Sequence, residues 1–378
     1  MFLTVITVSF PPIISFLEVF MPLLSRRFVG IDLGKRTYEL RLFDRSGSVT
    51  GWNGTTAPDG RKSLYARLLP TDKVAVEVCA LAFIIADEIA ESVGCEVVIL
   101  NASKLAIIYR TTKKTDKEDA LKLARLIKIY QNEDLPIVHP PSNQEIYRRR
   151  LLAEHRQLKQ DKTRCINRLH ALFVHSGITS IAKKDLAGRK RRTASVELLS
   201  GFLKESALRI LDSLSLLDSQ IKIIEDQIDT IASQNERIQS VQTIPGVGPV
   251  TATAFVSYVN ADNFSNLSQV ASFLGLVPKI DCSSSINRYG SITKCGNSYL
   301  RSLLIQASWA LVRSPSGGYL KDQYLYMTKT KGKSKKKAIV AIARKLSQFM
   351  FAILKSAQPY QPRRFVSTSS LAAMALSG

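Results

Sequence analysis

The chain has 378 residues, of which 45% are hydrophobic and 22% charged, so it can bury the cores of two or three domains and is not a disordered polymer. Its 53 Lys and Arg outnumber its 31 Asp and Glu, which leaves a formal net charge of +22 and favours a polyanionic partner. The five cysteines and four histidines show no metal-ligand spacing, which argues against zinc or a disulfide framework and favours a reducing cytoplasm.

Residues 1–24 are mostly apolar, with Glu18 as the one charged residue, and superficially resemble a membrane segment. Pro11 and Pro12 interrupt this run before it reaches the ~20 residues that a spanning helix needs, and no Lys or Arg precedes it. We interpret 1–24 as a doubtful extension, with Met21 as an alternative initiator, and expect no membrane association.

The segments that follow predict an α/β layer. Residues 27–44 predict a strand, a tight turn at Gly34-Lys35 and a returning strand in which apolar positions alternate with polar ones. Residues 74–78 and 95–100 have the length and β-branching of buried strands, and 81–92 between them have helical spacing. Strand, helix and strand in this order predict a parallel pair.

Four carboxylates fall on these elements. Asp32 lies in the first predicted strand and Glu77 ends another, where a carboxylate is costly unless a positive group meets it. Asp116 and Asp119 share one face in the first turn of a helix predicted to follow the N-cap Thr115. If the four converge, their repulsion favours hard divalent cations such as Mg²⁺, two per site. Alternatively, Asp116 and Asp119 only complement the helix dipole and Asp32 only caps a turn.

Prolines between 136 and 141 mark a linker before two long helices. The first is basic and covers 145–175, and the second carries apolar residues at alternate three- and four-residue spacing over 214–231, the seam of a coiled coil. This seam predicts either pairing between subunits or an intrachain hairpin. The connection between the helices includes Lys183-Lys184 and the basic run 189–192, which we expect to stay solvated unless phosphate neutralises it.

The last third begins with a glycine turn. Gly246 and Gly248 precede an apolar helix, as in a helix-hairpin-helix element whose backbone N–H groups can face a phosphate; a plain turn between helices is the alternative. Further on, a serine-rich loop at 281–285 precedes a helix predicted over 298–312. Six lysines in 329–337 run into an apolar helix.

Both halves of the chain resemble one known family. The strands with Asp32 and Glu77, together with the run KTDKEDA at 114–120, are similar to the RuvC-like domain of DEDD-type insertion-sequence transposases, to which pilin-gene-inverting recombinases are related. The segments 243–255 (TIPGVGPVTATAF) and 273–311 (FLGLVPKIDCSSSINRYGSITKCGNSYLRSLLIQASWAL) resemble the C-terminal transposase domain of that family.

The resemblance implies a three-part architecture. An α/β RNase H-like (RuvC-like) domain would cover 25–135, a helical coiled-coil region 144–238, and a mostly α-helical transposase domain with a helix-hairpin-helix-like element 239–357. Residues 358–378 would form a disordered tail.

The resemblance also implies roles for particular residues. It places a nucleophilic serine on Ser283, but Ser284 stands where the family has glycine, so the choice within 283–285 stays open. This serine would attack a DNA phosphodiester to form a phosphoserine link, activated by the metal-bound carboxylates. Phosphate contacts would come from the backbone of Gly246 and Gly248 and from the side chains of Arg288, Lys294 and Arg301.

We therefore predict a DNA transposase or site-specific recombinase of an insertion sequence. The resemblance further implies guidance by a structured bridge RNA, a homodimer or homotetramer, and a bacterial or archaeal nucleoid location. The alternatives are an RNase H-like Mg²⁺-dependent nuclease and a catalytically decayed nucleic-acid-binding protein. An actin-like ATPase or kinase that uses Gly30–Gly34 as a phosphate loop would need a second glycine-rich loop, which we do not find.

Overall fold

The computed structural model describes residues 26–101, 115–138, 140–283 and 286–361, apart from the side chains of 262 and 280–289. The predicted extension 1–24 and the tail beyond 361 lie outside the described residues. The chain divides into two compact units, 1–140 and 141–378. No helix within the described ranges is long and apolar enough to cross a membrane.

The first unit is built on a five-stranded sheet in the order β3-β2-β1-β4-β5. The central strand β1 pairs antiparallel with β2 and parallel with β4, and β4 pairs parallel with β5. The elements are β1 (Phe28–Leu33), β2 (Thr37–Phe43), β3 (Val49–Thr55), α1 (Pro58–Tyr65), β4 (Lys73–Glu77), α2 (Ala82–Ser92), β5 (Glu96–Leu100) and α3 (Asp116–Ile129).

Helices cover both faces of this sheet because its strands alternate between two apolar surfaces. Val29 and Ile31 of β1 pack in one core with α1 and α2, whereas Ala75 of β4 packs with α3 in another. The predicted strands, the turn at Gly34 and the parallel pair are confirmed. Strand β3 was not predicted, because Gly51 and Gly54 interrupt its apolar pattern.

The second unit is mainly helical. Its strands β6 (Pro278–Ser283) and β7 (Ile286–Ile292) form an antiparallel hairpin. Its helices are α4 (Asn143–His175), α5 (Arg189–Val196), α6 (Gly201–Ser233), α7 (Glu236–Gln242), α8 (Pro249–Tyr258), α9 (Leu267–Phe273), α10 (Ser298–Arg313), α11 (Gly318–Leu325) and α12 (Lys335–Ser356).

The two long helices α4 and α6 pack against each other and run antiparallel. His155 hydrogen-bonds Glu225 at 3.1 Å, and Lys162 pairs with Asp218 at 2.6 Å, so later residues of α4 meet earlier residues of α6. The predicted seam of α6 is buried in this one chain at Leu214, Ile221, Ile224 and Ile228. A single hydrophobic core continues from Ile224 and Ile228 into α8, α10 and α12, so the predicted regions 144–238 and 239–357 share their interior.

The basic run 189–192 differs from the prediction of a solvated loop. It begins helix α5, and the Arg192 side chain is only 2% exposed, where its guanidinium pairs with Asp218 of α6. A buried arginine needs such a carboxylate, since an unpaired charge in the interior is strongly destabilising. Arg192 therefore stabilises the helical packing, while Arg189, Lys190 and Arg191 are exposed.

Candidate functional site

Asp32 and Glu77 lie at the carboxyl ends of neighbouring parallel strands. The register pairs Ile31 of β1 with Val76 of β4, so the next residues, Asp32 and Glu77, lie side by side. Successive side chains in a strand point to opposite faces. Because Ala75 packs with α3, Glu77 points to the same side of the sheet, and Asp32 points there as well, opposite to Ile31.

Helix α3 brings two more carboxylates to this face. Thr115 caps the helix by accepting a hydrogen bond from the Glu118 backbone N–H at 3.3 Å, as predicted, and places Asp116 and Asp119 in the first turn. Three acids in this turn also favour the helix through its macrodipole. The helix axis then has to run close to β1 for these acids to reach Asp32.

Gly30 allows that close approach. A Cβ built on Gly30 would lie 1.9 Å from the carbonyl oxygen of Ala120 and 2.6 Å from the amide nitrogen of Ala124. No side chain of any kind fits there, so α3 packs its backbone directly on the strand. This contact was not predicted, although the small residues Gly30, Ala120 and Ala124 are its signal in the sequence.

The electrostatics show that the other three acids act on Asp32. Burial, and then repulsion by Asp116, Glu77 and Asp119, raises the pKa of Asp32 from 3.8 to about 6. A carboxyl that resists ionisation in this way is one that a cation would stabilise. The four predicted site residues of this unit are therefore brought into one electrostatic cluster, which we call the acidic cluster: Asp32, Glu77, Asp116 and Asp119.

One member of the acidic cluster already has a cationic neighbour. Lys122, one turn along α3, binds Asp119 with 2.6 Å between Nζ and Oδ1, and both side chains are largely buried. Sequence reasoning missed Lys122, whose three-residue spacing from Asp119 was the available signal. Within the described ranges no three acidic, histidine or cysteine side chains are arranged to hold an ion as they stand. The oxygen donor set nevertheless fits a hard divalent cation.

In the second unit, the segment predicted as a serine-rich loop is largely β-hairpin. Ser283 is the last residue of β6 and pairs with Ile286 of β7, and Asp281 pairs with Arg288. Ser284 and Ser285 lie outside the described residues, as do the side chains of Ser283 and Arg288. The pair of Ser283 and Ile286 is the last of the antiparallel register, so Ser283 lies at the end of β6 next to the turn of the hairpin.

The base of this hairpin is held by close backbone contacts. The Lys294 N–H donates to the Gly275 carbonyl at 3.1 Å and the Thr293 N–H to the Val277 carbonyl at 2.9 Å. Gly275 has a φ of +65°, and a Cβ there would lie 2.3 Å from the Cys295 carbonyl oxygen. The two chain segments that enter and leave the hairpin therefore cross in contact, which fixes its direction.

Arg301 of α10 ties the same segments together. Its Nη1 donates to the carbonyl oxygens of Leu274 at 3.1 Å, Cys295 at 2.5 Å and Gly296 at 3.2 Å. The phosphate contact of Arg301 stays a prediction, since in the structure its guanidinium hydrogen-bonds these three backbone carbonyl oxygens. Lys294, by contrast, is exposed and has a left-handed φ of 58°.

The two predicted phosphate-binding glycines lie in the turn between α7 and α8. Gly246 has a φ of +83°, and a Cβ there would lie 2.6 Å from the Leu311 amide nitrogen and 2.7 Å from the Ala307 carbonyl oxygen, so it faces α10. Gly248 is the N-cap of α8, and nothing lies within 4 Å of its Cβ position. Gly246 therefore serves packing, whereas Gly248 faces open space.

Comparisons with known proteins match both units. A family model described as Transposase IS116/IS110/IS902 family matches residues 238–325, and a model of the DEDD transposase domain of IS110 matches 29–176. A protein of Sinorhizobium fredii named as a transposase is 30% identical, and the match covers 63% of this chain but only 65% of that protein.

Two further relatives have more specific names. The transposase for insertion sequence element IS1111A of Coxiella burnetii is 28% identical over 67% of this chain and 70% of that protein. The pilin gene-inverting protein of Moraxella bovis is 27% identical over 66% of this chain and 69% of that protein. These three relatives are thus named as transposases or as a gene-inverting protein.

Proposed function

The chain belongs to the IS116/IS110/IS902 family of transposases, enzymes that act on DNA, and we propose that it cuts and rejoins DNA strands as the recombinase of an insertion sequence. The observation that carries the proposal is the acidic cluster, in which burial and then the charges of three neighbouring carboxylates raise the pKa of Asp32 to about 6. Carboxylates that are held close enough to raise one another's pKa are typical of a site where a bound cation removes the repulsion. The net charge of +22 supplies affinity for the DNA backbone.

In this proposal the acidic cluster holds Mg²⁺, two ions per site. Mg²⁺ held there by Asp32, Glu77, Asp116 and Asp119 would polarise a phosphoryl oxygen and assist the ionisation of a hydroxyl nucleophile. Asp32 and Asp116 offer oxygen donors from a strand and a helix that Gly30 holds in direct contact. Lys122 fixes the side chain of Asp119, so the donors are oriented by the fold before any ligand binds.

The second unit supplies the nucleophile. The Ser283 hydroxyl attacks the phosphorus of a DNA phosphodiester, the bond from phosphorus to the sugar oxygen breaks, and a phosphoserine ester forms. The proton lost by the serine ends on the departing sugar oxygen, so the step is balanced. Because this ester conserves the energy of the broken bond, rejoining to another strand needs no ATP. Ser284 and Ser285 are the alternative nucleophiles within the serine triplet. The contacts that Arg301 and Gly275 make where the chain enters and leaves the hairpin keep the hairpin in one orientation.

The proposal includes partners that follow from the family resemblance. DNA is the substrate, a structured guide RNA selects the sites to be joined, and two or four copies of the chain act together. The exposed basic residues of α4, including Arg150, Arg164 and Arg168, are suited to RNA or DNA backbone because they are solvated cations along one long helix.

Three single alanine variants test the proposal on a cognate DNA substrate with its guide RNA and Mg²⁺. Wild-type protein should form a covalent protein–DNA adduct that survives denaturing electrophoresis, and Ser283→Ala should abolish it. Ser284→Ala and Ser285→Ala are matched controls, because each removes a serine hydroxyl one or two positions away from Ser283. Each should lose only part of the activity.

The outcomes separate the possible chemistries. An adduct that persists in Ser283→Ala and vanishes in Ser284→Ala shifts the nucleophile by one residue. Cleavage without any adduct in the wild type would refute the phosphoserine step and favour a nuclease that uses water. Adduct formation in the presence of a strong chelator would refute the role of the metal.

A further inference from the structure

A second surface of the C-terminal unit has a charge that neither the acidic cluster nor the serine hairpin explains. From residue 282 to residue 378 the sequence contains sixteen Lys and Arg but a single acid, Asp322. The densest part of this region is a segment that we call the lysine turn, with six lysines between Lys329 and Lys337. Like charges at this density repel one another unless an anion lies between them.

The lysine turn is an ordered part of the structure. A π-helical turn at Tyr326–Thr330 leads into it, and two backbone hydrogen bonds fold it back on this turn, from Lys331 N–H to the Tyr326 carbonyl at 3.0 Å and from Lys333 N–H to the Met327 carbonyl at 2.9 Å. Lys331 also places its Nζ 5.2 Å from the ring centre of Tyr326. The lysines are therefore presented from a fixed backbone.

All six lysines are exposed, and within the described residues none has a carboxylate at salt-bridge distance. Other surface lysines of this protein do have such partners: the exposed Lys62 and Lys222 pair with Asp59 and Asp226, and the half-buried Lys204 pairs with Glu197. Since the lysines of the turn make no buried contact, they contribute little to the stability of the fold.

Three of the six lie where they oppose folding. Helix α12 begins with Lys335, Lys336 and Lys337 and has no acid in its first turn. The amino end of a helix carries partial positive charge, so cations there are unfavourable. Helix α3 of the same protein has the opposite arrangement, with three acids in its first turn. The lysines at the start of α12 therefore need an explanation other than stability.

We propose that the lysine turn is a binding surface for the phosphodiester backbone of double-helical nucleic acid, and it shares no residue with the acidic cluster or the serine hairpin. The inference rests on the proposed function, because it requires that the protein act on nucleic acid. Lysine ammonium groups bind phosphate as point charges and do not match the edges of bases. The surface supplies affinity and holds the duplex in register without reading its sequence.

The test is a triple variant, Lys335→Gln, Lys336→Gln and Lys337→Gln, measured for binding to a mixed-sequence DNA duplex and to an RNA duplex of the same length at several salt concentrations. The matched control replaces Lys62, Lys204 and Lys222 with Gln, which removes the same charge from paired lysines elsewhere. Three lost phosphate contacts should reduce the slope of log K against log salt by up to ~2.7 and weaken binding on the order of 100-fold at 0.1 M salt.

The melting temperature is the second measurement. In the triple variant it should stay unchanged or rise, because unfavourable charges leave the amino end of a helix. If the triple variant loses affinity for only one of the two duplexes, that duplex is the source of the phosphates. Loss for the DNA duplex alone and loss for the RNA duplex alone each support the inference. A smaller slope change in the control is also expected.

Four results would overturn the inference or its premise. An unchanged salt slope in the triple variant overturns the inference, and so does an equal change in the control. Weaker binding together with a lower melting temperature overturns it too, because the loss would then follow from damaged folding. A wild-type protein that binds neither duplex would instead contradict the proposed function itself.

Discussion

Replacing Gly30 with alanine should disable the acidic cluster although none of its four carboxylates is changed. The new Cβ would lie 1.9 Å from the Ala120 carbonyl oxygen, where ordinary contact begins at 3.4 Å, so helix α3 has to retreat by about 1.5 Å or the strand has to bend. Both neighbours are backbone and cannot rotate away. We expect the variant to lose about 3 kcal/mol of unfolding free energy, the upper part of the range for overpacked cores.

The retreat of α3 should also remove activity, because Asp116 and Asp119 move with the helix. A misplacement of about 1 Å can cost on the order of 100-fold in rate, and we expect at least that loss in DNA cleavage. The stability loss is measured by urea unfolding and the activity by single-turnover cleavage at a temperature where the variant is folded. Gly188→Ala is the control, since nothing lies within 4 Å of its Cβ position. Wild-type stability together with wild-type cleavage in Gly30→Ala would refute this account of the helix–strand contact.

Two further predictions concern single side chains. Since the pKa of Asp32 is raised from 3.8 to about 6, the folded state binds more protons than the unfolded state between these pH values, and the free energy of unfolding falls as pH rises through them. In the absence of metal, Asp32→Asn should reduce this pH dependence and raise the free energy of unfolding at pH 7.5 by about 1–2 kcal/mol, a value discounted for the partial exposure of Asp32. The variant should also lose DNA cleavage, and a lower urea midpoint than wild type at pH 7.5 would contradict the prediction. Arg301→Lys keeps the charge, but a lysine cannot reach all three carbonyl oxygens, so hydrogen exchange of the β6 and β7 amides should accelerate about tenfold or more. The salt dependence of nucleic-acid binding should stay unchanged. Wild-type hydrogen exchange together with wild-type cleavage would show that the carbonyl contacts are dispensable.

Local patterns in the sequence determined most of the secondary structure. The apolar run before Gly34 predicted β1, and the alternation after it predicted β2. The N-cap Thr115 predicted the start of α3, which the structure confirms with a hydrogen bond that the Thr115 hydroxyl accepts from the Glu118 N–H. The heptad spacing over 214–231 predicted the burial of Leu214, Ile221, Ile224 and Ile228 in α6, whereas Leu217 and Ile231 are half-buried. These features depend on residues within one or two turns of each other, so a linear pattern records them.

The four carboxylates could also be found from sequence, because each occupies a position where an acid is unusual or is paired with another at helical spacing. Their convergence could not be derived from spacing alone. It depends on the parallel register between β1 and β4 and on the missing side chain of Gly30, which joins segments some ninety residues apart.

Only the tertiary structure decided what several charged residues do. Arg192 belongs to a basic run that looks solvated in sequence, yet it is buried against Asp218; Arg301 looks like a phosphate ligand, yet its guanidinium meets three carbonyl oxygens. The lysines of 329–337 look the same in sequence but remain exposed. A charged side chain has the same chemistry in every case, and what it contributes depends on whether folding brings an acceptor within ~3 Å of it, which is a property of long-range contacts and not of local pattern.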